Sequence, residues 1–361
     1  MTTAAKTIKH NFNSGPSVLP REVFEQASQA ILDFNQTGLS ILEIGHRTEL
    51  FYEVINEARS LAKELMHLDD DHEILFLHGG ATTQFSQVPM NLLNESETAS
   101  YLDCGTWGLK AIKDAKLYGQ VNVVASSKDK GYTYIPKNYE IPAGSVYFHY
   151  TTNNTIEGTQ MHSIPETNVP LVSDMSSDIL SRDMDFNRFA LIYAGAQKNI
   201  GAAGVNMVVV NKNILGRVHR AMPGMMDYRQ HIEAGSLLNT PPVFAIYVCM
   251  LTLKWLKQQG GVAGIEKIND QKAALLYDTI DSLPIFTATV AHEDRSKMNV
   301  VFVMDKELEK EFLQLCKQEG MVGVKGHRLV GGFRMSLYNA LTMESVQAVT
   351  ELMKEFANKR G

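Results

Sequence analysis

Apolar residues recur along the chain with two different periods. Val23, Ala27, Ala30, Ile31 and Phe34 are spaced i, i+4, i+7, i+8 and i+11, which predicts one buried helix face. Leu50, Val54, Ile55, Ala58, Leu61, Ala62 and Leu65 repeat the pattern. Between such segments lie short, continuously apolar runs: 74–77, 121–124, 145–150, 169–173, 190–194 and 206–210. Runs of this kind fit strands buried on both faces, and their alternation with helices predicts an α/β fold with a mostly parallel sheet. The pattern changes at QQGGVAGIEK, residues 258–267. Before it, Val243 to Leu256 reads as a helix. After it come a helix over about 264–282, a strand over 300–304, a helix over about 306–319, a strand near 333–337 and a final helix from about Met343. The expected division is a large domain over residues 15–260 and a small α+β domain over 261–361, with residues 1–14 as an N-terminal arm packing near the active site.

Composition narrows the classes. The chain has 361 residues, enough to bury a large core without staples. Lys plus Arg is 34 against 40 Asp plus Glu, a net charge of −6 with no long basic run, so no nucleic-acid partner is expected. The longest nearly apolar stretch, Val243 to Leu253, is too short to span a bilayer, so no membrane is expected either. The first ten residues lack the apolar centre of a signal peptide. Cys104, Cys249 and Cys316 are far apart and form no metal or disulfide pattern, which fits a reducing, cytoplasmic setting. The run HLDDDH, residues 67–72, reads as a helix stop and solvated turn, and no metal is expected.

Three segments carry candidate chemistry. In YAGAQKNIGAAG (193–204) a strand ends and Lys198 follows among small residues that leave room for a flat group. Burial there would favour the neutral amine that forms a Schiff base. A surface lysine in a Gly-rich hairpin is the competing reading. In VPLVSDMSSDIL (169–180) a strand ends at Asp174, either a carboxylate facing a ligand at the strand ends or a helix N-cap. In EILFLHGGATTQF (73–85) a strand runs through Gly79-Gly80 into a helix start with Thr82 and Thr83, a seat for phosphate or an ordinary βα turn. A carboxylate, a lysine and a phosphate seat at successive strand ends suit pyridoxal phosphate. His46-Arg47, His327-Arg328 and Arg334 add cations suited to a substrate with more than one acidic group. Trp107 follows the strand TASYLD and either stacks on an aromatic ring or fills the core.

FNSGPS, EIGHR, HGGATTQF, IYAGAQKNIG, NTPP, KGHR and GGFRMSLYNA occur in that order, from about residue 11 toward the C-terminus. With them the chain resembles the phosphoserine aminotransferase family, class V aminotransferases among the fold type I pyridoxal-phosphate enzymes. The resemblance implies a large parallel-sheet domain and a smaller C-terminal one. It makes Lys198 the lysine that bonds the cofactor and moves the proton, Asp174 the partner of the pyridine nitrogen, and Trp107 the stacking residue. Ala81, Thr82, Thr155 and Gln197 resemble the remaining cofactor contacts of the same subunit. Asn239 and Thr240 resemble residues that reach the cofactor phosphate of the other subunit of a homodimer. Ser14, Arg47 and Arg334 match substrate positions, with Arg334 for the α-carboxylate, and His46, Arg47, His327 and Arg328 resemble the group that receives the distal acid. Some bacterial members carry an arginine where this chain has Thr82, so backbone amides and hydroxyls must serve the phosphate there.

The implied reaction is reversible amino transfer between O-phospho-L-serine and 2-oxoglutarate, giving 3-phosphohydroxypyruvate and L-glutamate. It would serve serine biosynthesis, and a phosphorylated threonine analogue of vitamin B6 synthesis is a further candidate substrate. Another fold type I enzyme acting on a small anionic amino acid is the alternative within the class. A phosphate-binding protein without catalysis is the alternative outside it, but it leaves Lys198 and Asp174 without a task.

Overall fold

A computed structural model describes residues 9–360. Residues 1–8, most of the expected N-terminal arm, lie outside the described residues. The chain opens with strand β1 (His10–Asn11), then helices α1 (Arg21–Leu32) and α2 (Glu49–Leu65). Strand and helix then alternate: β2 (His72–Leu77), α3 (Gly80–Leu92), β3 (Thr98–Asp103), α4 (Thr106–Ala115), β4 (Gln120–Ser126). Next come β5 (Phe148–Thr151), β6 (Leu171–Asp174), β7 (Phe189–Gly195), the single turn α5 (Ala196–Asn199) and β8 (Asn206–Asn211). Helices α6 (Tyr228–Glu233), α7 (Val243–Gln258) and α8 (Gly261–Ser282) lead to β9 (Thr287–Ala288), β10 (Asn299–Val303), α9 (Lys306–Gln318), β11 (Met321–Val322), β12 (Phe333–Ser336) and α10 (Met343–Asn358).

The seven-stranded sheet has the order β2-β8-β7-β6-β5-β3-β4. Pairs β3–β4, β3–β5, β5–β6 and β6–β7 are parallel, whereas β8 runs antiparallel to both β7 and β2. Both faces are covered, which is why these strands read as apolar runs. Ile74, Phe76, Ile192, Ala194, Met207 and Val209 face one core, with α1, α2 and α7. Leu75, Leu77, Leu191, Tyr193, Val208 and Val210 face the other, with α3 and α4. A third core joins β10 and β12 to α8, α9 and α10, and Phe12 inserts into it from the N-terminal segment. Helix α8 serves two cores: Val262 and Ile265 pack in the first, Ala273 to Ile280 in the third.

Two boundaries differ from the periodicity. Phe34 is buried but lies beyond α1, because Asp33 is extended and breaks the helix; Ile31 is 38% exposed. Phe34 still reaches the same core, edge-on to Tyr247 at 5.5 Å. Helix α8 starts at Gly261 rather than about 264, because Gly260, at φ 85°, ends the α7 segment in a left-handed turn.

Candidate active site

The carboxyl ends of the parallel strands supply the site. Strand β6 ends at Asp174, and its parallel neighbour β7 ends at Gly195, one residue before the turn that holds Lys198. Asp174 lies opposite Tyr193 in the register. Strand β5 ends at Thr151 and leads to Thr155, β3 leads to Trp107 in the first turn of α4, and β2 leads to Gly79 and α3. Gly79 is required where it stands. It adopts φ 85°, and a Cβ there would sit 1.9 Å from Thr83 Oγ1. Thr83 Oγ1 donates to the Gly79 carbonyl at 2.9 Å, so it braces the turn; Thr82 is exposed beside it.

Lys198 Nζ donates to Thr155 Oγ1 at 2.7 Å. The Thr155 carbonyl accepts from Arg334 Nη1 at 3.2 Å, and Arg334 Nη2 donates to Ser14 Oγ at 2.6 Å. The Trp107 ring centroid is 6.0 Å from Lys198 Nζ. The structure therefore brings Lys198, Thr155, Arg334, Ser14 and Trp107 to one crevice, with Asp174 within electrostatic reach of Lys198. Burial lowers the Lys198 pKa to about 8, although Asp174 favours its charge; Arg334 opposes it. Burial raises Asp174, while the charge of Lys198 and the Ser176 N–H, 2.9 Å from its carboxylate, pull it back.

Gln197 is tied in through its backbone: its carbonyl accepts from Ser17 N–H at 2.9 Å. Ala81 packs against the same apolar cluster as Trp107. His327 and Arg328 stand on the turn before β12, with the His327 carbonyl accepting from Val330 and Gly331 N–H at 2.9 and 2.8 Å. His46, Arg47, Asn239 and Thr240 are not drawn to Lys198 by any contact within the described chain. Arg47 instead lines a cavity of about 610 Å³ with Tyr52, Asn56, Glu233, Ala234, Gly235, Leu237 and Leu238. Thr240 presents its carbonyl to His78 Nε2 at 3.0 Å and accepts from Asn239 Nδ2 at 3.1 Å, so this loop lies beside the strand end that leads to Gly79. The 67–72 run forms a turn in which Asp69 meets His72 Nδ1 at 2.6 Å and Asp70 pairs with Lys63 at 2.9 Å.

Three supporting residues were not singled out by sequence reasoning. Ser17 Oγ donates to the Lys198 carbonyl, so Ser17 holds the end of the lysine turn twice. Glu157, buried, accepts from Thr106 N–H at 2.9 Å and from its hydroxyl at 2.5 Å, which fixes the start of the Trp107 helix. Tyr338 donates to the Ser14 carbonyl at 2.9 Å. Ser17 closes the FNSGPS motif and Tyr338 lies inside GGFRMSLYNA, but neither motif marks the contact its residue makes; nothing in the local pattern marks Glu157.

The donor set fits pyridoxal phosphate: an amine whose pKa is lowered, a buried carboxylate, an indole face and a helix start behind two glycines. Trp107 Nε1, Thr151 Oγ1 and Arg334 Nε are buried and unpartnered, as polar groups around a ligand site are.

A family model described as aminotransferase class-V matches residues 9–349, and the chain belongs to that family. Within it the chain falls among the phosphoserine aminotransferases. It is 55% identical to the phosphoserine aminotransferase of Flavobacterium johnsoniae, over 97% of this chain and 99% of that one. Its fold superposes on the phosphoserine aminotransferase of Bacillus circulans subsp. alkalophilus with a TM-score of 0.95 and 44% identity, covering 98% and 99% of the two chains. The pyridoxal-phosphate-bound phosphoserine aminotransferase of Trichomonas vaginalis matches with a TM-score of 0.92 and 35% identity, over 96% and 100%.

Proposed function

We propose that this chain transfers the amino group of O-phospho-L-serine to 2-oxoglutarate with pyridoxal phosphate, giving 3-phosphohydroxypyruvate and L-glutamate. The observation that carries the reading is the double use of Thr155. Its hydroxyl takes the Lys198 ammonium and its carbonyl takes the Arg334 guanidinium. A reactive amine and a carboxylate receptor are thereby set on either side of one residue, as an α-amino acid requires.

Pyridoxal phosphate, when bound, supplies an electron-withdrawing ring into which the electrons of the broken Cα–H bond are drawn. Asp174 would hold the ring nitrogen in its protonated form, and Trp107 would cover the ring. Ala81 and Thr82, at the start of α3, would offer backbone N–H groups to the phosphate, with Thr155 and Gln197 beside them. Lys198, whose amine would hold the cofactor, would move the proton to and from the substrate Cα; a pKa near 8 suits an amine that must both accept and return a proton near neutral pH. Arg334, with Ser14, orients the α-carboxylate. His327 and Arg328 receive the distal anion.

Arg47 shares its cavity with Glu233, Ala234, Gly235, Leu237 and Leu238, just before Asn239 and Thr240, and Lys198 does not line it. This supports a homodimer in which His46, Arg47, Asn239 and Thr240 complete the partner's site. Residues 15–260 would form the cofactor-binding unit and 261–361 the smaller unit that carries Arg334. No helix among the described residues is long and apolar enough to cross a membrane. Cys104, Cys249 and Cys316 are buried free thiols, which supports a cytoplasmic setting. The test is a panel of amino donors against 2-oxoglutarate. O-phosphoserine should outpace serine and alanine in glutamate formation; equal rates for all three would overturn the reading.

A further inference from the structure

Lys110 stands on α4, one turn after Trp107, and its ammonium lies over the Trp107 ring, 4.3 Å from the centroid. The Lys198 ammonium lies 6.0 Å from the same centroid. Among the described residues no carboxylate lies within ion-pair distance of Lys110. An exposed lysine without a carboxylate partner ordinarily extends into water. This one is folded back over an indole at the mouth of the crevice.

Its charge also reaches the other wall. Burial first, then the charges of Arg334, Arg328 and Lys110, hold His327 below its usual pKa. Arg334 in turn acts on Lys198. By contact, Lys198 joins Arg334 through Thr155 and faces the Trp107 ring that Lys110 covers. An anion entering among these basic groups relieves their mutual repulsion.

We infer that Lys110 is a specificity-determining residue that meets the distal anion of the substrate and favours a dianionic phosphate over a carboxylate. The inference rests on the transaminase reading given above. At equal distance, one cation gains twice the Coulomb energy from a dianion that it gains from a monoanion. Arg334 does not discriminate in this way, because every α-amino acid presents the same carboxylate to it. The exposed cation–π contact gives Lys110 a parking position that is released at low cost.

The experiment compares wild type, Lys110→Met and Lys110→Arg with O-phosphoserine, glutamate and alanine as donors. Wild-type turnover of O-phosphoserine is measured first; without it the transaminase reading itself fails, and the question of Lys110 does not arise. Met keeps an apolar stem over Trp107 and removes only the charge. KM for O-phosphoserine should then rise about fivefold, KM for glutamate about twofold and that for alanine not at all, with kcat for each donor unchanged. Lys110→Arg should restore KM for O-phosphoserine. The wild-type preference should also shrink at 0.5 M salt, on the order of several times physiological strength. An equal change for all three donors, or a changed kcat with unchanged KM, would mean that Lys110 only supports Trp107, and would overturn the inference. Unchanged KM for O-phosphoserine in Lys110→Met would overturn it as well.

Discussion

Asp174 and Lys198 carry opposite charges at the ends of adjoining elements, and burial pushes both toward neutrality. Each also sustains the other's charge, so the pair holds one positive and one negative group in a place that would otherwise tolerate neither. That balance suits a cofactor with a basic ring nitrogen and an electrophilic carbon. Asp174→Asn keeps the size and the acceptor for Ser176 N–H but removes the charge. Single-turnover amino transfer should fall by about 100-fold or more, whereas unfolding free energy should fall by up to about 3–5 kcal/mol, the cost of removing one partner of a buried charge pair. Stopped-flow kinetics and denaturant titration check the two parts; a full-rate variant would remove Asp174 from the mechanism. At the same scale, Arg334→Leu should weaken every amino donor and Arg328→Leu only those with a distal anion. Donor KM values would reveal the split, and equal losses in both variants would erase it.

Short strand-to-helix turns do most of the positioning at the level of elements. Strands β2, β3, β5, β6 and β7 each stop at the crevice and hand over a residue within a few positions. The turn at Gly79 is the most tightly packed of them, and Gly79→Ala puts a methyl against Thr83 while forcing a left-handed φ on alanine. The variant should lose on the order of 1–3 kcal/mol of stability, seen in a thermal melt, and bind phosphate-bearing cofactor more weakly; an unchanged melt would show that the turn yields. These turns were legible in the sequence because an apolar run that ends in Asp174, Gly79 or Gly195 marks both the strand and its stop. The helices were legible wherever one face is buried. Phe34 misled the pattern, since its core contact persists after Asp33 has broken the helix. Ser17, Glu157 and Tyr338 were not legible as partners. Ser17 and Lys198 are 181 residues apart, and no local period records a contact of that separation. Nothing in the local sequence sets Lys110 apart from other exposed lysines, because its distinction is the ring under it.

The whole molecule brings two distant parts of the chain to the lysine turn. The N-terminal segment pairs with β11, sinks Phe12 into the C-terminal core and then holds the Lys198 turn through Ser17. The C-terminal part delivers Arg334 on β12. The loop with Asn239 and Thr240 lies against His78 beside the Gly79 turn, and Arg47 lines a separate cavity; neither contacts Lys198 within one chain, in keeping with the proposed shared site. A Lys198→Ala subunit mixed with one weakened at Asn239 and Thr240 should regain activity after subunit exchange, since one hybrid site would carry both defects and the other neither. If exchange is confirmed by mass spectrometry and activity stays absent, each chain serves its own site. The claim on which all of this depends is that Lys198 is the amine that holds the cofactor, and covalent capture tests it most directly. Cofactor-free protein is incubated with pyridoxal phosphate across pH, reduced with borohydride, digested and mapped. The neutral fraction of an amine grows as pH rises through its pKa, so the initial capture rate should climb with a midpoint near pH 8, with the label on the Lys198 peptide. Label spread over other lysines with an unmodified Lys198 peptide, or a midpoint near the ordinary lysine value of 10.5, would contradict the account.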